Sequence, residues 1–112
     1  MTTVTLRGGE SIWYKTTGAG EPLLHIHGSA FGHRNFEKMT PYMAKHFEVI
    51  DFDLPGYGES TGAPRDGGME GIAEQVFEFI EAAGYDRVHI HGTSFGAMIA
   101  FTLAARHPVV ID

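Results

Sequence analysis

No cysteine occurs among the 112 residues, which excludes a disulfide framework and a thiolate metal site and makes an intracellular setting the natural expectation. No basic run offsets the formal net charge of −6, which argues against a nucleic-acid backbone or an anionic membrane surface as partner. No window approaches the ~18 apolar residues of a membrane span, and the start, MTTVTLRGGE, lacks the apolar stretch of a signal peptide. A soluble, cytoplasmic chain is therefore expected. What is present is 43% hydrophobic and 20% charged residues, a globular composition at a length that buries the core of one domain.

Along the chain, TVTLR and SIWYKTTG are short β-branched and aromatic runs separated by Gly8-Gly9-Glu10, which predicts a hairpin. PLLHIHG follows the turn GAGE as a third strand. NFEKMTPYMAKH places Phe36, Met39 and Met43 on one face and predicts a helix, with Thr40-Pro41 as cap and first turn. FEVIDFDL reads as a fourth strand and PGYGESTGAPRDGG as a long loop. MEGIAEQVFEFIEAAG carries Met69, Ile72, Ala73, Val76 and Ile80 on one stripe and Glu70, Glu74, Glu78 and Glu81 off it, the pattern of an amphipathic helix with a solvated acidic face and a glycine stop. RVHIHG is a fifth strand. SFGAMIAFTLAARH, apolar almost all round, predicts a buried helix that ends before Pro108. Strands that alternate with helices imply parallel pairing with helices on both faces, an α/β class.

Two strand-to-loop corners carry the chemistry. In Gly92-Thr93-Ser94-Phe95-Gly96, a glycine two positions either side of a serine, between a strand and a helix, permits a tight turn that projects the hydroxyl above the sheet. The helix N-terminus adds backbone N–H groups and a positive dipole end. The bland alternative is a serine that merely caps the helix. The earlier corner, His27-Gly28-Ser29-Ala30, has almost the same sequence: HIHGSAFG at 25–32 against HIHGTSFG at 89–96. A tetrahedral intermediate needs two donors on its oxyanion. The N–H of Phe95 and that of Ser29, with Ala30 as the neighbouring alternative, are the candidates; a plain glycine turn is the competing reading of this corner.

GAGEPLLHIHG, FEVIDFDLPGYGES and GIAEQVFEFIEAAGYDRVHIHGTSFGAMIAFTLAARHP, in this order and spacing, resemble the N-terminal half of an α/β-hydrolase across essentially the whole chain. Three motifs agree: His27-Gly28, the run Asp53, Pro55, Gly56, Gly58, Ser60, and the corner around Ser94. The resemblance implies an α/β-hydrolase core of about five strands, a hairpin and then parallel strands, with residues 1–112 a partial domain that stops before a sixth strand. It implies Ser94 as nucleophile, Ser29 and Phe95 as oxyanion amides, and His27, Gly28, Gly92 and Gly96 as the structural frame. A serine at this corner points to ester, thioester, lactone or carbon–carbon bond hydrolysis and away from aspartate-nucleophile relatives such as epoxide hydrolases. Phe31 and Tyr57, with Phe95, are candidates for an apolar acyl pocket, although core packing explains them equally well. No cofactor is implied; the partner is a small molecule with a reactive carbonyl.

In that family the acid and then the histidine follow the serine, and the sequence ends before both positions. Local substitutes are weak: His27 belongs to its loop, His33 reads as a surface-loop residue, His46 and His107 lie at helix ends, and Asp53 reads as a turn organiser. Two further function classes stay open. One is a half-domain that is not catalytic by itself and assembles with a second copy or a complementing C-terminal half, since an open fifth strand and a helix short of cover recruit partners. The other is a Zn²⁺ site built from His25, His27, His89 and His91, paired two apart on neighbouring strands.

Overall fold

The computed structural model describes residues 2–30 and 32–112. Five strands, β1 (Thr2–Thr5), β2 (Ser11–Thr17), β3 (Glu21–Ile26), β4 (Phe47–Phe52) and β5 (His89–Gly92), form one sheet in the order β1-β2-β4-β3-β5. β1 and β2 make the expected hairpin, β2 runs antiparallel to β4, and β3 pairs in parallel with both β4 and β5. The last two parallel pairings are the important ones, because they set the C-terminal ends of β3 and β5 side by side.

Side chains alternate across the sheet with period two. Leu24, Ile26, Ile50 and Phe52 face α2 (Met69–Ala82) and α3 (Phe95–Arg106), where they meet Ile72, Val76, Phe79, Ile80, Ile99 and Leu103 in the main core. The intervening residues Leu23, His25, His27, Val49, Asp51 and Asp53 are buried on the opposite face. There Phe36 stacks on His25 at 4.2 Å, and Thr40 donates to Asp51 at 2.9 Å. Helices thus cover both faces. α2 stops at Gly84, whose φ of 90° lets its N–H reach the Glu81 carbonyl while Tyr85 N–H reaches that of Ile80, the paired bonds of a Schellman motif.

Three expectations need correction. The helix predicted over 35–46 is two short pieces, a 3-10 helix at Gly32–Phe36 and a single α-turn, α1, at Thr40–Met43. Pro41 falls in the first turn as expected, but the Thr40 hydroxyl bonds the Phe36 carbonyl and Asp51 instead of capping. A proline ring and a threonine committed to the sheet prevent one continuous helix.

The acidic face of α2 is not wholly solvated. Glu78 is 6% exposed and is gripped by both terminal nitrogens of Arg65, one of them at 3.0 Å, with the Arg7 N–H at 3.2 Å. The Arg65 hydrogen bond holds the Glu78 carboxyl below its ordinary pKa in spite of burial. Together with Gln75, which donates to the Ala63 carbonyl and accepts the Arg65 N–H, it ties the long 53–68 loop down on α2.

Finally, α3 buries one face only. Gly96, Ile99 and Leu103 point inward, while Met98 is 57% and Phe101 79% exposed. β5 is the edge of the sheet, flanked beyond its start by a single parallel bridge between Val88 and Ile111.

Candidate active site

The turn from β5 to α3 places Ser94 at φ 54°, ψ −117°. Among the described residues it is the one non-glycine with positive φ. Such a backbone costs a side-chain-bearing residue about 1–3 kcal/mol and persists only where its surroundings enforce it. Gly92 and Gly96 enforce it here. A Cβ on Gly92 would lie 2.6 Å from the Gly96 carbonyl oxygen, and one on Gly96 would lie 2.0 Å from that of Ile26. Only bare backbone lets α3 approach the ends of β3 and β5 this closely. Ser94 occupies the N-cap position of α3, yet its hydroxyl makes no capping bond. The side chain is exposed.

The second corner lies against the first. A Cβ placed on Gly28 lies 3.7 Å from that of Ser94 and 3.6 Å from the Thr93 carbonyl. Gly28, Ser29, Ala30, Asn35, Thr93 and Ser94 line one shallow pocket. Phe95 is the first residue of α3, so its N–H is among the helix donors that lack an intrahelical acceptor. The corner has an anchor that the sequence did not signal: the Gly28 N–H donates to Asn35 Oδ1 at 2.8 Å.

His27 is fixed as a structural residue. Its Nδ1–H donates to the Gly28 carbonyl at 2.7 Å and its Nε2 accepts the Leu54 N–H at 2.9 Å, so both nitrogens are used and the ring is neutral. Burial lowers its pKa, outweighing the Gly28 bond and the Asp53 charge. Asp53 organises two loops: it accepts the His33 N–H at 2.6 Å, the His33 Nδ1–H at 2.9 Å and the Glu59 N–H at 3.0 Å. Gly32 and Gly58 leave room for it, since a Cβ on either would fall within 2.7 Å of its carboxylate. Ser60 closes the motif by donating to the Asp53 carbonyl at 2.6 Å and accepting the Trp13 N–H at 2.9 Å.

The side chains expected to form an acyl pocket do not line the pocket at Ser94 among the described residues. Tyr57 packs edge-on against His27 at 5.1 Å and is not among the residues around the Ser94 pocket, and Phe95 packs against the main core. Phe31 lies outside the described residues. Among the described residues no histidine or carboxylate lines that pocket. His33 is committed to Asp53, and His107 stacks on Phe77 at 3.7 Å and bonds Glu74.

The four paired imidazoles do not converge. His25 bonds Asp51 at 3.0 Å and His91 meets it edge-on at 5.4 Å, while His27 is bonded as described. Burial and then the neighbouring His25 lower the pKa of His91. Among the described residues no three of these four rings bring nitrogens together.

The alpha/beta hydrolase fold matches residues 21–112. The chain belongs to that family. Among curated relatives, this alpha/beta hydrolase chain is 28% identical over 109 residues to the (E)-2-((N-methylformamido)methylene)succinate hydrolase of Acinetobacter baylyi, covering 97% of this chain and 41% of that protein. It is 32% identical over 96 residues to a soluble epoxide hydrolase of a Corynebacterium species, covering 86% and 34%. A solved hydrolase of Pseudomonas aeruginosa superposes with a TM-score of 0.91 at 25% identity, covering 99% of this chain and 43% of that one. The chain thus spans about two-fifths of the length of the first of these relatives. No helix among the described residues is long and apolar enough to cross a membrane.

The strain at Ser94 predicts that Ser94→Gly unfolds at higher urea concentration than wild type, a gain of about 1 kcal/mol after the extra chain entropy of glycine is subtracted; an unchanged or lower midpoint contradicts it. The neutral His27 predicts a pH dependence. Below its ordinary value of 6.5 the unfolded chain takes up the proton first, so its contribution to stability is complete above that pH and declines as the pH falls toward the folded pKa. Titration by NMR is expected to show the His27 ring still neutral at pH values just below 6.5.

Proposed function

We propose that the protein is a serine hydrolase acting by acyl transfer, with Ser94 as nucleophile and the backbone N–H groups of Ser29 and Phe95 holding the oxyanion. The observation that carries this is the uncapped Ser94 hydroxyl on a strained turn, against the 28–30 corner. A serine there has given up its usual helix-capping role. Two donors near it supply the stabilisation that tetrahedral intermediates need.

Similarity to an epoxide hydrolase supports the shared frame, and the serine at the corner favours carbonyl chemistry: esters, thioesters, lactones or activated carbon–carbon bonds. The proton-transfer pair comes from polypeptide beyond residue 112 in this reading, because among the described residues no histidine or carboxylate lines the pocket. A cytoplasmic setting is part of the reading, from the absence of cysteine.

The test is hydrolysis of an activated nitrophenyl ester by the 112-residue chain and by Ser94→Ala. Removing the base of such an enzyme costs on the order of 10⁶ in kcat, and the oxyanion hole and binding alone retain ~10³–10⁴ over water. Little or no turnover is expected from the isolated chain. A robust rate abolished in Ser94→Ala keeps the nucleophile but overturns the absent base. A robust rate that survives Ser94→Ala overturns the nucleophile as well.

We also propose that the face of α3 bearing Met98 and Phe101, together with the edge of β5, is covered by further polypeptide. The favoured occupant is a C-terminal part of the same fold, given that the chain spans 41% of the first relative. In its absence a second copy takes the same surface, so light scattering of the isolated chain is expected to give a dimer or larger. A monomer at high concentration counts against the proposal.

A further inference from the structure

At the opposite end of the sheet from Ser94, three side chains from neighbouring segments meet. Glu21 is the first residue of β3 and His89 the first of β5, while Asp112 follows the bridge that Ile111 makes beside β5. The His89 Nε2 lies 3.2 Å from Glu21 Oε1 and 3.7 Å from Asp112 Oδ2, and the three ligand atoms all lie within 4.8 Å of one another. One imidazole N–H can donate well to one of these carboxylates and leaves the two acids facing each other.

We infer that this cluster is a binding site for a divalent transition metal, with Zn²⁺ the ion best matched to it. Zn²⁺ held at 2.0–2.1 Å by tetrahedral ligands sets neighbouring ligand atoms roughly 3.3–3.4 Å apart. The two distances to His89 bracket that value and the carboxylate oxygens lie within 4.8 Å of each other, so an inward shift of Asp112 is what the ion requires for all three to hold it. One imidazole and two carboxylates suit this ion better than Mg²⁺ or Ca²⁺, which prefer oxygen alone.

The surroundings support the ligands. The ring of Phe47 packs edge-on to His89 at 5.6 Å. Arg87 lies beside the cluster; its Nη2 is 3.6 Å from Asp112 Oδ1 and donates to the Ile111 carbonyl at 3.0 Å. It orients Asp112 as outer-shell partners orient metal-bound carboxylates, at some electrostatic cost to the cation. Each ligand stands on a different segment of one hydrogen-bonded sheet end, so the ion clamps β3, β5 and the segment after the bridge together. Such a clamp is structural and independent of the chemistry at Ser94.

The test is calorimetric titration of ZnCl₂ into the tag-free 112-residue chain at one fixed pH of about 7.5, because metal affinity depends on pH. One binding event is expected, weakened about tenfold or more in His89→Ala, Glu21→Gln and Asp112→Asn. His46→Ala, an exposed histidine one residue before Phe47 that is not part of the cluster, is expected to bind as wild type. Zn²⁺ is also expected to raise the melting temperature of wild type and to leave that of His89→Ala unchanged. The three ligands are partly or largely exposed, so their replacement leaves the core intact. Absence of binding, binding undiminished in His89→Ala, or an equal loss in His46→Ala overturns the site.

Discussion

The structure depends on one close approach: the start of α3 lies on the ends of β3 and β5 with no side chain between. Gly96 sits so near the Ile26 carbonyl, and Gly92 so near the Gly96 carbonyl, that any Cβ would force the layers apart. Because the contact is backbone to backbone, it fixes the turn between β5 and α3 with little freedom, and Ser94 takes the left-handed conformation that remains. Parallel pairing of β3 with β5 then brings Gly28 beside the same turn. The proximity of the two corners is thus a consequence of strand order and of two missing side chains.

The polar groups beneath those corners rigidify the loops. Asp53 is fully buried and receives donors from both the 32–33 and 58–59 segments. His27 joins the first corner to the Leu54 N–H, and Asn35 holds the Gly28 N–H. Each of these groups would be costly to leave unpaired in a buried setting. Their mutual satisfaction gives the loops one geometry. The ion pair of half-buried Arg65 with buried Glu78 does the same for the long loop on the other side of the sheet.

Much of this was legible locally. The alternation in LLHI and VIDF, the stripe on α2, the stop at Gly84 and the glycine bracket around Ser94 depend on residues within one turn or one strand of each other, where steric and periodic rules act directly. The break in the predicted 35–46 helix was less legible because Thr40 is drawn to Asp51, eleven positions away. The burial of Glu78 was illegible for the same kind of reason: its partner Arg65 lies across a loop from α2, and charge on a helix face ordinarily means solvent.

The sequence by itself determined the class of fold, the order of strands and helices, and the turn at which a serine is exposed, because each follows from side-chain size, periodicity and the presence of glycine at particular positions. Only the tertiary structure decided that the Ser94 hydroxyl does not cap α3, that Asn35 anchors the facing corner, and that the paired histidines of β3 and β5 part company. His25 turns to Asp51 while His89 turns to Glu21 and Asp112. Those outcomes depend on partners 26 and 68 residues away for His25 and for the His89–Glu21 pair. Such encounters are set by how the strands pair in space, and chain-local spacing carries no record of them.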